Sequence, residues 1–256
     1  MNVLQKLDCF IRSFKGEKGI VGTALSGAPI WYFCVRKTAY PTIIAQYSIH
    51  AREYITTLLA LEQIKDFCRF GKKGTVYFLP MLNPDGVQIC LTQNPLYKAN
   101  GRGVDLNVNF NANWGTGEKN QREPGSENYI GLAPFSEPET RALKDFTLFI
   151  NPDLTLSCHS KGEEIYYQFF QTGKRLKRDL AFAQIVREQT GYDIKATPNS
   201  AGGYKDWCVK WLKIPSITIE VGSDDLTHPI GERYLTQIYQ KNQGVIRALT
   251  ESEKWN

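Results

Sequence analysis

Three side chains that can bind a divalent metal occur in the sequence where strand-like segments end. His50 follows the apolar run TIIAQYSI at 42–49, Glu53 comes three residues later, and His159 closes the run LTLSC at 154–158. Two histidines and one glutamate with an open fourth position are a ligand set of catalytic zinc sites. The spacing differs from the HExxH motif, in which both histidines lie on one helical turn. Spacing alone is therefore a weak indication of a metal site.

An acidic residue that could activate water stands in the same relation to a third strand. Glu220 lies near the end of SITIEV at 216–221. Because ligand sites of α/β sheets lie at the carboxyl ends of strands, we expect Glu220 to share a cleft with His50, Glu53 and His159. Zinc lowers the pKa of a bound water to about 7, so a neighbouring carboxylate would suffice as general base.

The elements that must position these residues alternate along the chain. Periodicity predicts helices near 2–14, 51–69, 137–150, 174–190 and 231–252, and strands at 30–35, 42–49, 75–80, 154–158 and 216–221. This alternation predicts an α/β fold, a single catalytic domain over residues 1–256 with a mixed, mostly parallel twisted sheet flanked by helices. The segment 83–135 is rich in Asn, Gly and Pro and has little periodicity, which is typical of a functional segment in a compact domain.

Composition limits the classes of partner. The chain has 256 residues, 42% hydrophobic and 22% charged, and a formal net charge of +5, as in ordinary soluble globular proteins. Its basic residues form only short clusters, so we expect no nucleic-acid partner, and no apolar run approaches the roughly 20 residues of a membrane span.

The six cysteines are scattered and the N-terminus lacks a signal-peptide pattern. We expect reduced thiols and a cytoplasmic protein, although a trimmed leader would leave the same sequence; the oligomeric state stays open.

Six short motifs occur in the order of a known family. They are HAREY at 50–54, NPDG at 83–86, GVDLN at 103–107, HS at 159–160, GGYKDW at 202–207 and TIEV at 218–221. Together they resemble the zinc carboxypeptidase (funnelin) family and span most of the chain. The resemblance implies a metallopeptidase with one zinc ion per chain, bound by His50, Glu53 and His159, and with Glu220 as the general base.

The resemblance also implies roles for residues after NPDG. Asp105 matches an acid that orients the first histidine ligand through its other ring nitrogen; a loop-capping carboxylate is the alternative. Lys98 stands where the family has an arginine that stabilises the oxyanion, and Arg102 is the alternative donor. A third possibility is that both residues only make the loop basic and have no specific role. Asn107 matches the first member of an Asn-Arg pair that clamps a C-terminal carboxylate, but Val108 follows it.

Departures from the family pattern concern the substrate. Val108 cannot clamp a carboxylate, and Pro198 stands where the family has a loop tyrosine, which argues against removal of ordinary C-terminal residues. Lys205, at the position of the specificity residue, predicts a carboxylate on the substrate side chain. In murein stem peptides, meso-diaminopimelate carries one. The segments HSKGEEIYY and AGGYKDW are similar to bacterial γ-D-glutamyl-diaminopimelate peptidases.

Tyr204 and Glu163 complete the candidate substrate-binding residues. Tyr204 precedes Lys205, and Glu163 and Glu164 are expected to receive the substrate's ammonium. His228 is expected to be a loop hydrogen-bonder or a rim contact. The sequence thus predicts a zinc peptidase that cleaves the γ-D-glutamyl-meso-diaminopimelate bond of murein peptides. Two alternatives stay open: a carboxypeptidase for acidic C-terminal residues, and an inactive module that binds murein peptides. Exo- or endopeptidase action is also left open.

Overall fold

One eight-stranded sheet forms the centre of the fold. A computed structural model describes every residue except Pro198 and Asn256. The strands are β1 (Glu17–Thr23), β2 (Pro29–Arg36), β3 (Thr42–Tyr47), β4 (Thr75–Leu79), β5 (Leu154–His159), β6 (Glu164–Tyr166), β7 (Asp193–Ile194) and β8 (Ser216–Glu220). Their order across the sheet is β1-β2-β4-β3-β5-β8-β6-β7. Strands β4, β3, β5 and β8 pair in parallel, and β1, β2 and β6 join antiparallel neighbours. The predicted α/β fold with a mixed, mostly parallel sheet is confirmed.

Helices cover both faces of this sheet. They are α1 (Val3–Ser13), α2 (Ile55–Phe70), α3 (Pro84–Thr92), α4 (Pro138–Ile150), α5 (Gly173–Thr190), α6 (Tyr204–Trp207), α7 (Leu235–Asn242) and α8 (Val245–Glu251). Successive residues of β3 enter different cores: Ile43 and Ala45 pack with α1, α2, α5, α7 and α8, and Ile44 packs with α4 and α6. Burial on both faces explains why this strand reads as a continuous apolar run.

The observed elements depart from the sequence prediction at weakly patterned segments. The predicted helix at 51–69 begins with a separate 3-10 turn, Ala51–Glu53, and the one at 231–252 divides into α7 and α8. The unpredicted strands are the half-exposed, glycine-containing β1 and the short β6 and β7. Helix α3 lies in the Asn/Gly/Pro-rich segment. It starts because the Asn83 side chain accepts a hydrogen bond from the Gly86 amide and Pro84 takes the first helical position.

Two features bear on the expected environment. Among the described residues, none of the helices combines the length and the apolarity that a membrane span requires. All six cysteines are free; four are buried and two are exposed, Cys9 and Cys68. The cytoplasmic location stays a prediction.

Candidate metal centre and active site

The carboxyl ends of three parallel strands bring the predicted residues together. Strand β5 ends at His159 and β8 ends at Glu220, and these two residues are direct register partners. His50 lies three residues beyond β3, whose Tyr47 pairs with Cys158 of β5. The 3-10 turn Ala51–Glu53 then brings the Glu53 carboxylate to the Nδ1 of His50. Strand register therefore fixes His159 and Glu220, and the end of β3 places His50 near them.

His50, Glu53 and His159 form one buried cluster of ligand atoms. The His50 Nδ1 lies 2.8 Å from Glu53 Oε1, and the His159 Nδ1 lies 3.1 Å from both Glu53 Oε2 and His50 Nδ1. All three ligand atoms lie within 4.8 Å of one another. Two nitrogens bound to one tetrahedral zinc ion at about 2.05 Å stand about 3.3 Å apart. The spacing and the donor types therefore fit a zinc ion.

Asp105 orients the first histidine of this cluster. Its Oδ1 lies 3.2 Å from His50 Nε2, which turns Nδ1 towards Glu53 and His159. A carboxylate behind a metal-binding histidine fixes the ring tautomer and orientation. Asp105 is fully buried, and its Oδ2 lies 2.9 Å from the Lys98 Nζ.

Electrostatics keep the cluster's carboxylates ionised. Burial alone would raise the pKa of Glu53, but His50 and His159 hold it well below its ordinary value. Burial likewise acts to raise the pKa of Asp105, and Lys98 and His50 hold it well below its usual range. An ionised Glu53 is the form that can bind a metal.

Asn83 is a positioning residue that the sequence analysis named only as part of the NPDG motif. Its Nδ2 donates to the carbonyl oxygens of Ile49 and Ala99, at 3.1 and 3.0 Å. Ile49 directly precedes His50, so this buried amide ties the ligand turn to the segment that follows α3. The available sequence signal was Asn83 directly before Pro84 in NPDG, a pair typical of a helix N-cap and first position.

Glu220 faces the cluster from the end of β8. The side chain is half-buried, and burial raises the pKa of Glu220 to about 8 in the metal-free protein. Glu220 lines a cavity of about 190 Å³ together with His50 and His159. Lys98, Asn107 and Lys205 line the same cavity.

Lys205 sits in this cavity as half of a buried ion pair. Its Nζ donates to Asp206 Oδ1 at 2.5 Å and to the Gln168 carbonyl at 2.9 Å, and it lies 5.5 Å from the Phe169 ring centroid. Asp206 also lines the cavity. The sequence reasoning missed this acid, although it follows Lys205 directly in GGYKDW. The specificity position therefore presents two opposite charges and not an isolated cation.

Three predicted site residues are placed elsewhere. Arg102 is half-exposed with its Nε 3.9 Å from Glu137 Oε2, so the structure does not bring it to the cluster as an oxyanion donor. Tyr204 is fully buried and its hydroxyl bonds Thr147 at 2.8 Å, so it cannot contact substrate. Glu163 pairs through Oε1 with Lys241 of α7 at 2.6 Å and does not line the cavity of His50 and His159. The placements of Arg102 and Tyr204 correct the sequence prediction, and the role of Glu163 stays a prediction.

The remaining candidates have mixed placements. Asn107 accepts a hydrogen bond from the Tyr204 amide at 3.2 Å and borders the cavity, and Val108 lines an adjoining groove of about 290 Å³ that also reaches His50. Glu164 pairs with Lys195. The Nδ1 of His228 is buried without a hydrogen-bond partner in the described part of the chain. The prediction about Pro198 falls outside the described residues.

Comparison with known proteins identifies similar sequences and folds. A family model described as zinc carboxypeptidase matches residues 17–243. The chain is 30% identical over 237 residues to gamma-D-glutamyl-L-diamino acid endopeptidase 1 of Lysinibacillus sphaericus, covering 78% of this chain and 59% of that protein. It is 27% identical over 270 residues to the uncharacterized protein YqgT of Bacillus subtilis, covering 90% of this chain and 70% of YqgT.

Solved structures share the fold at lower identity. Bovine thrombin-activatable fibrinolysis inhibitor superposes with a TM-score of 0.84 at 20% identity, covering 98% of this chain and 96% of the other. Murein-tripeptide amidase MpaA of Escherichia coli O157 superposes with a TM-score of 0.67 at 21% identity, covering 94% of each chain. At these identities the similarity shows a common architecture.

Proposed function

The chain belongs to the zinc carboxypeptidase family, and we propose that it hydrolyses the γ-D-glutamyl-meso-diaminopimelate bond of murein stem peptides. Family membership confirms the predicted zinc-dependent peptidase and argues against the inactive binding module. The observation that carries the finer proposal is the buried Lys205–Asp206 ion pair in the cavity of His50, His159 and Glu220. The name of the 30% identical Lysinibacillus relative supports the same substrate class.

Each residue of the cluster has a defined task in this reaction. Zinc held by His50, Glu53 and His159 would supply a Lewis acid that polarises the scissile carbonyl and lowers the pKa of bound water. The positive charge of the ion would favour the ionised form of the half-buried Glu220. Glu220 accepts a proton from the attacking water on a carboxylate oxygen and passes it to the leaving amine. Asp105 holds the His50 ring through its Oδ1, which lies 3.2 Å from Nε2.

The substrate's diamino acid fits the charges of the cavity. The side chain of meso-diaminopimelate ends in a carboxylate and an ammonium on the same carbon. Lys205 uses two of its three N–H donors on Asp206 and Gln168, so one donor remains for the carboxylate. Asp206 provides acceptor oxygens for the ammonium of the substrate. The sequence analysis had predicted this role for Glu163. A substrate side chain with both charges therefore suits this ion pair better than one with a carboxylate alone.

A matched pair of peptides tests the proposal. Zinc-loaded protein is incubated with L-Ala-γ-D-Glu-meso-diaminopimelate and with the same peptide carrying L-lysine as the third residue. We expect release of free diaminopimelate, with kcat/KM at least about tenfold higher than for the lysine peptide, since one hydrogen bond to a charged group contributes about 1.5 to 3 kcal/mol. Absence of cleavage by metal-replete protein would refute the proposed substrate.

The second candidate function is a carboxypeptidase for acidic C-terminal residues. Lys205 favours it as well, because a cation in the cavity could bind a glutamate side chain. Val108 disfavours it, since a valine provides no donor for the terminal carboxylate. Peptides with α-linked C-terminal glutamate distinguish the two: faster release of glutamate than of diaminopimelate would replace the first proposal by the second.

A further inference from the structure

Lys98 is connected to the ligand turn by two independent contacts. Its carbonyl oxygen accepts a hydrogen bond from the Ala51 amide at 3.0 Å, directly after His50. Its Nζ lies 2.9 Å from Asp105 Oδ2, and Asp105 Oδ1 lies 3.2 Å from His50 Nε2. The Lys98 side chain therefore reaches a metal ligand through one intervening carboxylate.

The oxygens of Asp105 are fully engaged in this arrangement. Oδ1 faces His50 Nε2 and accepts from the Asn107 amide at 3.1 Å, and Oδ2 faces Lys98 Nζ and accepts from the Asn128 amide at 3.2 Å. Asp105 is fully buried and the Lys98 side chain is only 17% exposed. Removing one member of a buried ion pair leaves the other charge without compensation, and the structure around it then rearranges.

We propose that Lys98 is a positioning residue for the metal centre, acting through Asp105 on the ring of His50. Its ammonium is committed to Asp105 in the free protein, so it sets the orientation of a ligand before any substrate arrives. An oxyanion-stabilising role alone would require this ammonium only during the reaction. The inference concerns metal binding. It can therefore fail while the proposed peptidase function stands, and the proposed function can fail while the inference stands.

Zinc affinity of the metal-free protein, measured by competition with a chelating dye, tests the inference without substrate. For Lys98→Met we expect about a 10- to 100-fold weaker zinc affinity, the range seen when a partner of a metal-binding histidine is lost. Lys98→Arg keeps the charge and should stay within about threefold of wild type. Arg102→Met is the matched control, a cation four residues away that pairs with Glu137, and it should leave zinc affinity unchanged.

A double-mutant cycle keeps the test valid if Lys98→Met folds poorly. Asp105→Asn replaces the carboxylate by a neutral amide, which needs no ammonium beside it. Lys98→Met in the Asp105→Asn background should therefore weaken zinc binding by less than about threefold. Zinc affinity unchanged in Lys98→Met, with a loss confined to kcat, would overturn the inference. Equal losses from Lys98→Met in both backgrounds would overturn it as well, because they show that Lys98 does not act through Asp105.

Discussion

The segment from Lys98 to Asp105 separates two buried groups of charges that differ in how they are paired. On the metal side, Lys98 lies 2.9 Å from Asp105, and Asp105 lies 3.2 Å from His50. On the other side, Glu137 and Glu139 share the Asn100 Nδ2, at 2.9 and 3.2 Å. Their nearest cation is the half-exposed Arg102, 3.9 Å from Glu137, and Glu139 Oε1 has no hydrogen-bond partner within the described ranges.

The pairing decides the protonation state of each buried acid. Lys98 and His50 hold the pKa of Asp105 well below its ordinary value against the effect of burial. Burial raises the pKa of Glu139 to about 7, because hydrogen bonds from its own backbone amide and from Asn100 compensate only in part. On the metal side, the ionised Asp105 can therefore hold His50 for metal binding. On the other side, the free energy of unfolding depends on pH through Glu139. Variants on the two sides should consequently change different observables.

The largest effect is expected at Glu220. Glu220→Gln removes the proton acceptor while keeping the shape of the side chain, so we expect kcat to fall at least about 100-fold. Zinc content, measured by elemental analysis, should equal that of wild type. Similar rates in both proteins would leave Glu220 without a catalytic role.

The next largest effect is expected at Lys205. Lys205→Met removes the donor proposed for the substrate carboxylate, so kcat/KM for the diaminopimelate peptide should fall about 10- to 100-fold. The lysine-containing peptide should be much less affected. Tyr204→Phe is the neighbouring control: it loses only the bond to Thr147 and should change stability by about 1 kcal/mol and leave KM unaltered. A larger KM effect from Tyr204→Phe would contradict its burial.

Substitution of Glu139 is expected to change the stability of the protein and not its catalytic constants. Its folded-state pKa of about 7 exceeds the ordinary 4.5, so the folded protein retains a proton that the unfolded chain releases. Stability then falls as pH rises from about 4.5 to 7, by about 3 kcal/mol, and the loss is complete above that range. Relative to wild type, Glu139→Gln should gain about this amount between pH 4.5 and 8 in denaturant titrations.

The exposed Glu188 on α5 supplies the control for that measurement. Glu188→Gln, a substitution at the surface, should leave the free energy of unfolding within about 0.5 kcal/mol of wild type. A constant difference between Glu139→Gln and wild type at every pH would mean that Glu139 is ionised in the folded protein throughout.

The smallest effect is expected at Glu163, which lies outside both charge groups. Its partner Lys241 is 38% exposed and Glu163 itself 29%, and partly exposed pairs contribute at most about 1 kcal/mol. Glu163→Gln should therefore leave KM for the diaminopimelate peptide within about twofold. A tenfold rise in KM would restore the role in ammonium binding that its pairing argues against.

The metal side could be inferred from sequence because strand ends determine it. His159 and Glu220 close neighbouring parallel strands, so an apolar run followed by a polar residue was sufficient to place them on one edge. The substrate side depends on side-chain partners far apart in sequence. Glu163 pairs with Lys241 at a separation of 78 residues, and no local pattern reveals that contact.

The same limit applies within one short segment. Lys98 and Arg102 are both basic and four residues apart, and the sequence left them as alternatives for one role. The structure turns Lys98 towards Asp105 and Arg102 towards Glu137. Residue type and spacing gave the candidates, and tertiary packing distinguished them. The missed helix α3 is a different case, because its start signal is local: the Asn83 side chain accepts from the Gly86 amide and Pro84 takes the first helical position.

Anomalous diffraction at the zinc edge from crystals of the zinc-loaded protein tests the central claim most directly. The account predicts one strong peak bounded by His50 Nδ1, the Glu53 carboxylate and His159 Nδ1, with the Glu220 carboxylate beside it and unbound to the metal. A peak at any other group of residues, or none in protein saturated with zinc, would contradict it.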